Sequence, residues 1–69
     1  MYRQPVSSSN IASIGYDQSS QTLEIEFNDG AIYQYFDVPA SVYEGLMGAN
    51  SHGQYLAQNI RGIYRYNRA

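Results

Sequence analysis

Thr22-Leu23-Glu24-Ile25-Glu26-Phe27 alternates polar and apolar side chains without a break and runs straight into Asn28-Asp29-Gly30. A period of two is the pattern of a strand with one covered face and one wet face. Asx-Gly between two such runs is the strongest short-range hairpin signal. Residues 31–36 therefore form the return strand. The turn leaves two registers open. A two-residue Asp29-Gly30 turn pairs Phe27 with Ile32 and puts Ile32, Gln34 and Phe36 on the core face. A three-residue loop with Gly30 in the left-handed region pairs Phe27 with Ala31, and Tyr33 and Tyr35 then join Leu23 and Ile25.

The rest of the fold is built outward from this hairpin. Residues 10–16 are rich in isoleucine and small side chains, and Asp17-Gln18-Ser19-Ser20 supplies turn formers. A strand there makes a three-stranded antiparallel meander with the hairpin. The period then changes. Pro39 suits a first helical turn, and the i, i+4 pairs Val42/Leu46 and Tyr43/Met47 predict a helix over 39–47. Ser51 and Gln54 have the spacing of a capping box. Leu56 and Ile60 give a second helix its apolar stripe, and Gly62 stands where a C-terminal cap belongs. Ile63-Tyr64-Arg65-Tyr66 resumes alternation as a final short strand. The expected fold class is α+β, in the order β-β-β-α-α-β, with both helices on one sheet face. Residues 1–6, with a proline and no period, read as a flexible N-terminal arm, and 7–69 as a single domain.

Composition narrows the chemistry. The 69 residues contain no cysteine and one histidine, which excludes disulfides and thiolate zinc sites and argues against a dedicated transition-metal centre. No apolar run approaches the roughly 20 residues of a membrane span, and the N-terminus does not have the pattern of a signal peptide, so a soluble cytoplasmic protein without membrane contact is expected. Charge is unevenly spread. Residues 1–50 carry one arginine against six acids (net −5), whereas residues 51–69 carry three arginines and no acid (net +3). This asymmetry either marks a surface for an acidic partner or is neutralised by the tail folding back on the acidic hairpin.

The constellation with most chemical content is aromatic and cationic. Arg61, Tyr64, Arg65, Tyr66 and Arg68 interleave flat faces with guanidinium groups, the combination that single-stranded nucleic acid recognition requires. Tyr33 and Tyr35 extend it if they reach the surface, and otherwise fill a small core with their hydroxyls outward. Arg65 and Arg68 are the expected phosphate probes, while Arg61, near a helix end, also meets the helix dipole. Ser51 and His52 are adjacent at a helix start, where side chains do not reach each other, and no acid is placed to orient them. No catalytic residue is expected, and His52 reads as a solvated turn histidine. Glu24 and Glu26 read as a solvated sheet face rather than a cation site. No cofactor is expected.

Several short segments, in order, resemble the KTSC domain family, which occurs at the C-terminus of some lysyl-tRNA synthetases and as a free-standing small bacterial protein. They are Ser8-Ser9-Asn10-Ile11, Ile14-Gly15-Tyr16-Asp17, Leu23-Glu24-Ile25-Glu26-Phe27, and Tyr33-x-Tyr35 followed by Val38-Pro39. Ser51-x-Gly53, Asn59-Ile60-Arg61 and Tyr64-x-Tyr66 complete the set. The match spans about residues 7 to 66. The resemblance implies the stand-alone form, little chemistry of its own, and RNA as a suggested partner; the lack of lysine leaves few cations for that role. Two non-enzymatic functions follow as expectations. One is a module for RNA or other single-stranded nucleic acid, and the other is a protein-interaction or self-association module using a sheet edge or a tyrosine face.

Overall fold

The computed structural model describes residues 1–69. Its centre is the predicted hairpin, β3 (Thr22–Phe27) and β4 (Ile32–Tyr35), flanked by β2 (Ile11–Asp17). Two further strands, β1 (Arg3–Pro5) and β5 (Tyr66–Arg68), make a five-stranded antiparallel sheet in the order β1-β2-β3-β4-β5. Helices α1 (Ala40–Gly48) and α2 (His52–Asn59) lie between β4 and β5 in sequence. Both cover one sheet face, where Leu46, Leu56 and Ile60 close over Ile11, Ile14, Leu23, Ile25, Tyr35 and Val38. No helix is long and apolar enough to cross a membrane.

The hairpin takes the longer of its two possible loops. Phe27 N–H donates to the Ala31 carbonyl (2.8 Å), and Gly30 N–H donates back to the Phe27 carbonyl (2.9 Å). Gly30 sits at φ +93°, which a residue with a Cβ occupies only under strain. Ile25 therefore faces Tyr33 and Leu23 faces Tyr35, and both tyrosines lie on the helix side of the sheet. A Cβ on Gly30 would meet nothing within 4 Å, so Gly30→Ala isolates the backbone penalty. It is expected to cost about 1 kcal/mol, read as a lower urea midpoint; an unchanged midpoint would disprove the assignment.

In β2, Ile11 and Ile14 are both fully buried although an odd spacing puts strand side chains on opposite faces. An extra residue resolves this. Ile11 pairs with Phe27 and Ser13 with Glu26, so Ala12 is bulged and the face reverses between the two isoleucines.

Four expectations need correction. The meander has four strands before the helices, because residues 3–5 of the expected flexible arm pair with residues 13–15 of β2. The final strand begins at Tyr66 rather than Ile63. The Ile60 carbonyl accepts from the amides of both Ile63 and Tyr64, and this turn holds the chain off the sheet until Arg65 reaches Phe36. Glu24 does not lie on a solvated face, since only 8% of it is exposed. Arg3 reaches across β2 to bond its carboxylate, and Gln34 Nε2 donates to it from β4 (2.9 Å). Gly15 makes this approach possible, because a Cβ there would lie 2.7 Å from the Tyr2 carbonyl oxygen and 2.9 Å from Arg3 Cγ. Finally, His52 is half-buried with Nδ1 2.8 Å from the Leu46 carbonyl oxygen, which ties α2 to α1. At the same helix start Ser51 acts as the N-cap, its hydroxyl accepting from Gln54 N–H (3.2 Å).

Candidate functional site

The register of the hairpin decides where the aromatic side chains gather. Tyr33 and Tyr35 are two apart on β4, and β5 pairs Arg68 with Tyr33 and Tyr66 with Tyr35. Strand alternation thus puts four of the seven sequence-derived candidates on the helix side of the sheet, at its β5 edge. Tyr66 stacks on Tyr33 (centroids 5.6 Å apart, planes at 30°) and lies tilted against Tyr35 (6.0 Å). Phe27 meets Tyr33 edge-on at 5.6 Å. The Arg68 guanidinium stands 5.8 Å from the centre of the Tyr33 ring, within cation–π range. Tyr35 is buried beneath this layer, whereas Tyr66 remains 61% exposed and leaves one ring face open.

Arg61 reaches the same place from the other wall. It follows the C-terminal end of α2, its amide donating to the Leu56 carbonyl (2.8 Å). Burial pushes the Tyr35 hydroxyl above the usual tyrosine range, and the nearby positive charge of Arg61 works against that push. Gly53, Leu56, Ala57 and Arg61 follow helical spacing and form one wall of a groove of about 440 Å³. Phe27, Tyr33 and Arg68 form the sheet side, and the loops at Asn10 and Asn28-Asp29 close one end. The volume falls in the range of small-ligand sites. Neither Arg61 nor Arg68 is in an ion pair.

The two remaining candidates lie elsewhere. Arg65 faces the opposite side of the sheet, 5.1 Å from the Phe36 ring centre, with Nη2 3.0 Å from Asp37 Oδ2. Tyr64 is half-buried against the core in the turn before β5. Tyr16 and Tyr43 are packing residues. They stack at 4.7 Å with planes 8° apart, and Tyr16 donates its hydroxyl proton to the Val38 carbonyl (2.6 Å).

Sequence reasoning missed the groove's closed end. Asn10, Asn28 and Asp29 read in the sequence as turn and segment residues, and nothing local marks them as lining a groove. Hydrogen bonds between loops bring them together: Asn28 N–H donates to the Asn10 carbonyl (2.8 Å) and Asn28 Nδ2 to the Ser8 carbonyl (3.2 Å). Gly53 completes the approach, since a Cβ there would lie 3.3 Å from Asn10 Nδ2. Ser8-Ser9-Asn10-Ile11, Asn28-Asp29-Gly30 and Ser51-x-Gly53 are the sequence signals that touch this end, each read there for another role.

The family model described as "KTSC domain" matches residues 7–66. A lysine–tRNA ligase from Nostoc punctiforme is 45% identical over 56 residues, which are 81% of this chain and 10% of that protein. The chain thus spans about a tenth of the length of the curated ligases it matches. A protein from Stutzerimonas stutzeri is 42% identical over 67 residues, covering 96% of this chain and 94% of that one. The crystal structure of a KTSC domain protein from Yersinia pestis superposes with a TM-score of 0.94 at 42% identity, over 99% of this chain and 96% of that one.

Proposed function

This chain belongs to the KTSC domain family, and from that premise we propose that it is a small non-enzymatic module binding single-stranded RNA at its β5 edge. The observation that carries the reading is the exposed Tyr66 ring stacked on Tyr33, with the unpaired cations Arg61 and Arg68 alongside. An open aromatic face holds an unpaired base, and the guanidinium groups hold the phosphates on either side of it. The matching segment within lysine–tRNA ligases puts relatives of this domain in proteins that handle RNA.

The alternative, a partner strand added to a sheet edge, has less in its favour. Both edge strands are three residues long; β1 contains Pro5, which has no N–H to offer, and β5 contains Arg68. Short, charged and proline-bearing edges are poor templates for a further strand.

Fluorescence anisotropy with labelled RNA heptamers at low and physiological salt tests the reading. Replacing Arg61 and Arg68 with glutamine is expected to weaken binding and lower the salt slope by about 1.4, at about 0.7 per phosphate contact on a single strand. Arg65→Gln, on the other face, is expected to change neither. Tyr66→Leu keeps apolar bulk but removes the stacking surface, worth about 1–3 kcal/mol per base. If the wild-type protein binds no heptamer in low salt at high micromolar concentration, the reading is wrong. A concentration-dependent sedimentation shift would then favour self-association.

A further inference from the structure

The closed end of the groove contains a feature that phosphate binding does not explain. Asp29 lines the same groove as Arg61 and Arg68, yet it is in no ion pair with either. A carboxylate repels phosphate and accepts hydrogen bonds only, so what it meets in a ligand must be a donor. Its Oδ1 accepts from Ala31 N–H (3.0 Å), which fixes the side chain across the hairpin loop and leaves Oδ2 free. Beside it, Asn28 Nδ2 gives one of its two N–H groups to the Ser8 carbonyl, and its side-chain oxygen is a second acceptor. The rim is therefore rich in acceptors, the aromatic wall is Phe27 and Tyr33, and positive charge is supplied by the arginines.

Only one of the four RNA bases presents two adjacent N–H donors on its pairing edge. Guanine offers N1–H and the N2 amino group together. Adenine, cytosine and uracil each place an acceptor next to their donor, and a carboxylate oxygen would face that acceptor unfavourably. Resting on the single-strand reading above, we propose that this groove selects guanine. The base next to the one stacked on Tyr66 lies in the groove against Phe27 and Tyr33, its N1–H and N2 amino group donate to Asp29, and Arg61 and Arg68 meet the phosphates that join these nucleotides.

The test compares labelled heptamers of uridine carrying a single central guanine, adenine or inosine, with the wild-type protein and with Asp29→Asn. Asparagine retains the oxygen that accepts from Ala31 N–H, so the loop is kept, and an unchanged urea midpoint confirms this. The wild type is expected to bind the guanine heptamer about tenfold more tightly than the adenine one, the discrimination typical of one good bidentate contact. Inosine, which lacks the N2 amino group, should fall between them. In Asp29→Asn the guanine preference should shrink to within about twofold while binding to the adenine heptamer persists. Equal wild-type affinity for guanine and adenine, or a preference surviving in Asp29→Asn, overturns the guanine assignment and leaves RNA binding standing. Absence of binding to every heptamer overturns both.

Discussion

Ile25→Ala is expected to leave the domain largely unfolded. Ile25 is fully buried in the central strand of the sheet, paired with Ile14 on one side and Tyr33 on the other. Truncating a buried isoleucine costs about 2–5 kcal/mol, the lost transfer energy plus the cavity that remains. A domain of this size has only about 3–5 kcal/mol to lose. The variant should show a Tm lower by at least about 10 °C, or no cooperative transition at all in circular dichroism. Ile25→Val removes one methylene and should cost about 0.5–1.5 kcal/mol, so it separates cavity formation from loss of the strand. A variant melting within a few degrees of wild type would mean that the site collapses without a cavity.

Ile25 also shows why the hairpin could be read from sequence and its surroundings could not. Alternation over six residues and the Asn28-Asp29-Gly30 turn are local, and they hold in the structure. The choice of register is not written in the turn: Gly30 takes a positive φ in either loop, and the three-residue loop is distinguished only by Asp29 keeping out of the left-handed region. β1 has no pattern because three residues ending in proline become a strand only by pairing with β2. The Ala12 bulge hides the shared face of Ile11 and Ile14 from any search for a period of two. Of the seven candidate site residues, the structure brings Tyr33, Tyr35, Tyr66, Arg61 and Arg68 to one edge of the sheet. Tyr64 and Arg65 lie apart from them, because the turn closed on the Ile60 carbonyl delays β5 to Tyr66. Asp29 was visible only as a turn former, and its place in the groove depends on loops about twenty residues apart meeting through Asn28 and Ser8.

Arg3→Met should detach β1 at neutral pH, with an effect that fades in acid. Arg3 spans the outer face of the sheet, donating Nε to Ser13 Oγ (3.1 Å) and bonding the Glu24 carboxylate. The Ser13 hydroxyl in turn donates to Glu26 Oε1 (2.8 Å), which lies 3.9 Å from Arg3 Nη2. The Gln34 hydrogen bond holds the Glu24 carboxyl below the usual glutamate range; burial opposes this, and the Arg3 hydrogen bond and charge reinforce the lowering. A depressed carboxyl pKa contributes stability that is present above the unfolded value of about 4.3 and is lost as pH falls through the folded one. The Met side chain keeps the alkyl packing over Gly15 but leaves a nearly buried carboxylate with Gln34 alone. Breaking a fully buried pair costs about 3–5 kcal/mol, and the partial exposure of Arg3 lowers the expectation to about 2–3 kcal/mol at pH 7. Once Glu24 is protonated in both proteins the advantage of Arg3 disappears. The gap between the two urea midpoints should therefore narrow progressively as pH falls below the unfolded glutamate value of about 4.3 and through the lower folded one. Amide exchange along the β1–β2 ladder should quicken in the variant at neutral pH, while the β3–β4 ladder keeps its protection. A gap that stays constant with pH would assign the contribution of Arg3 to packing of its stem rather than to charge.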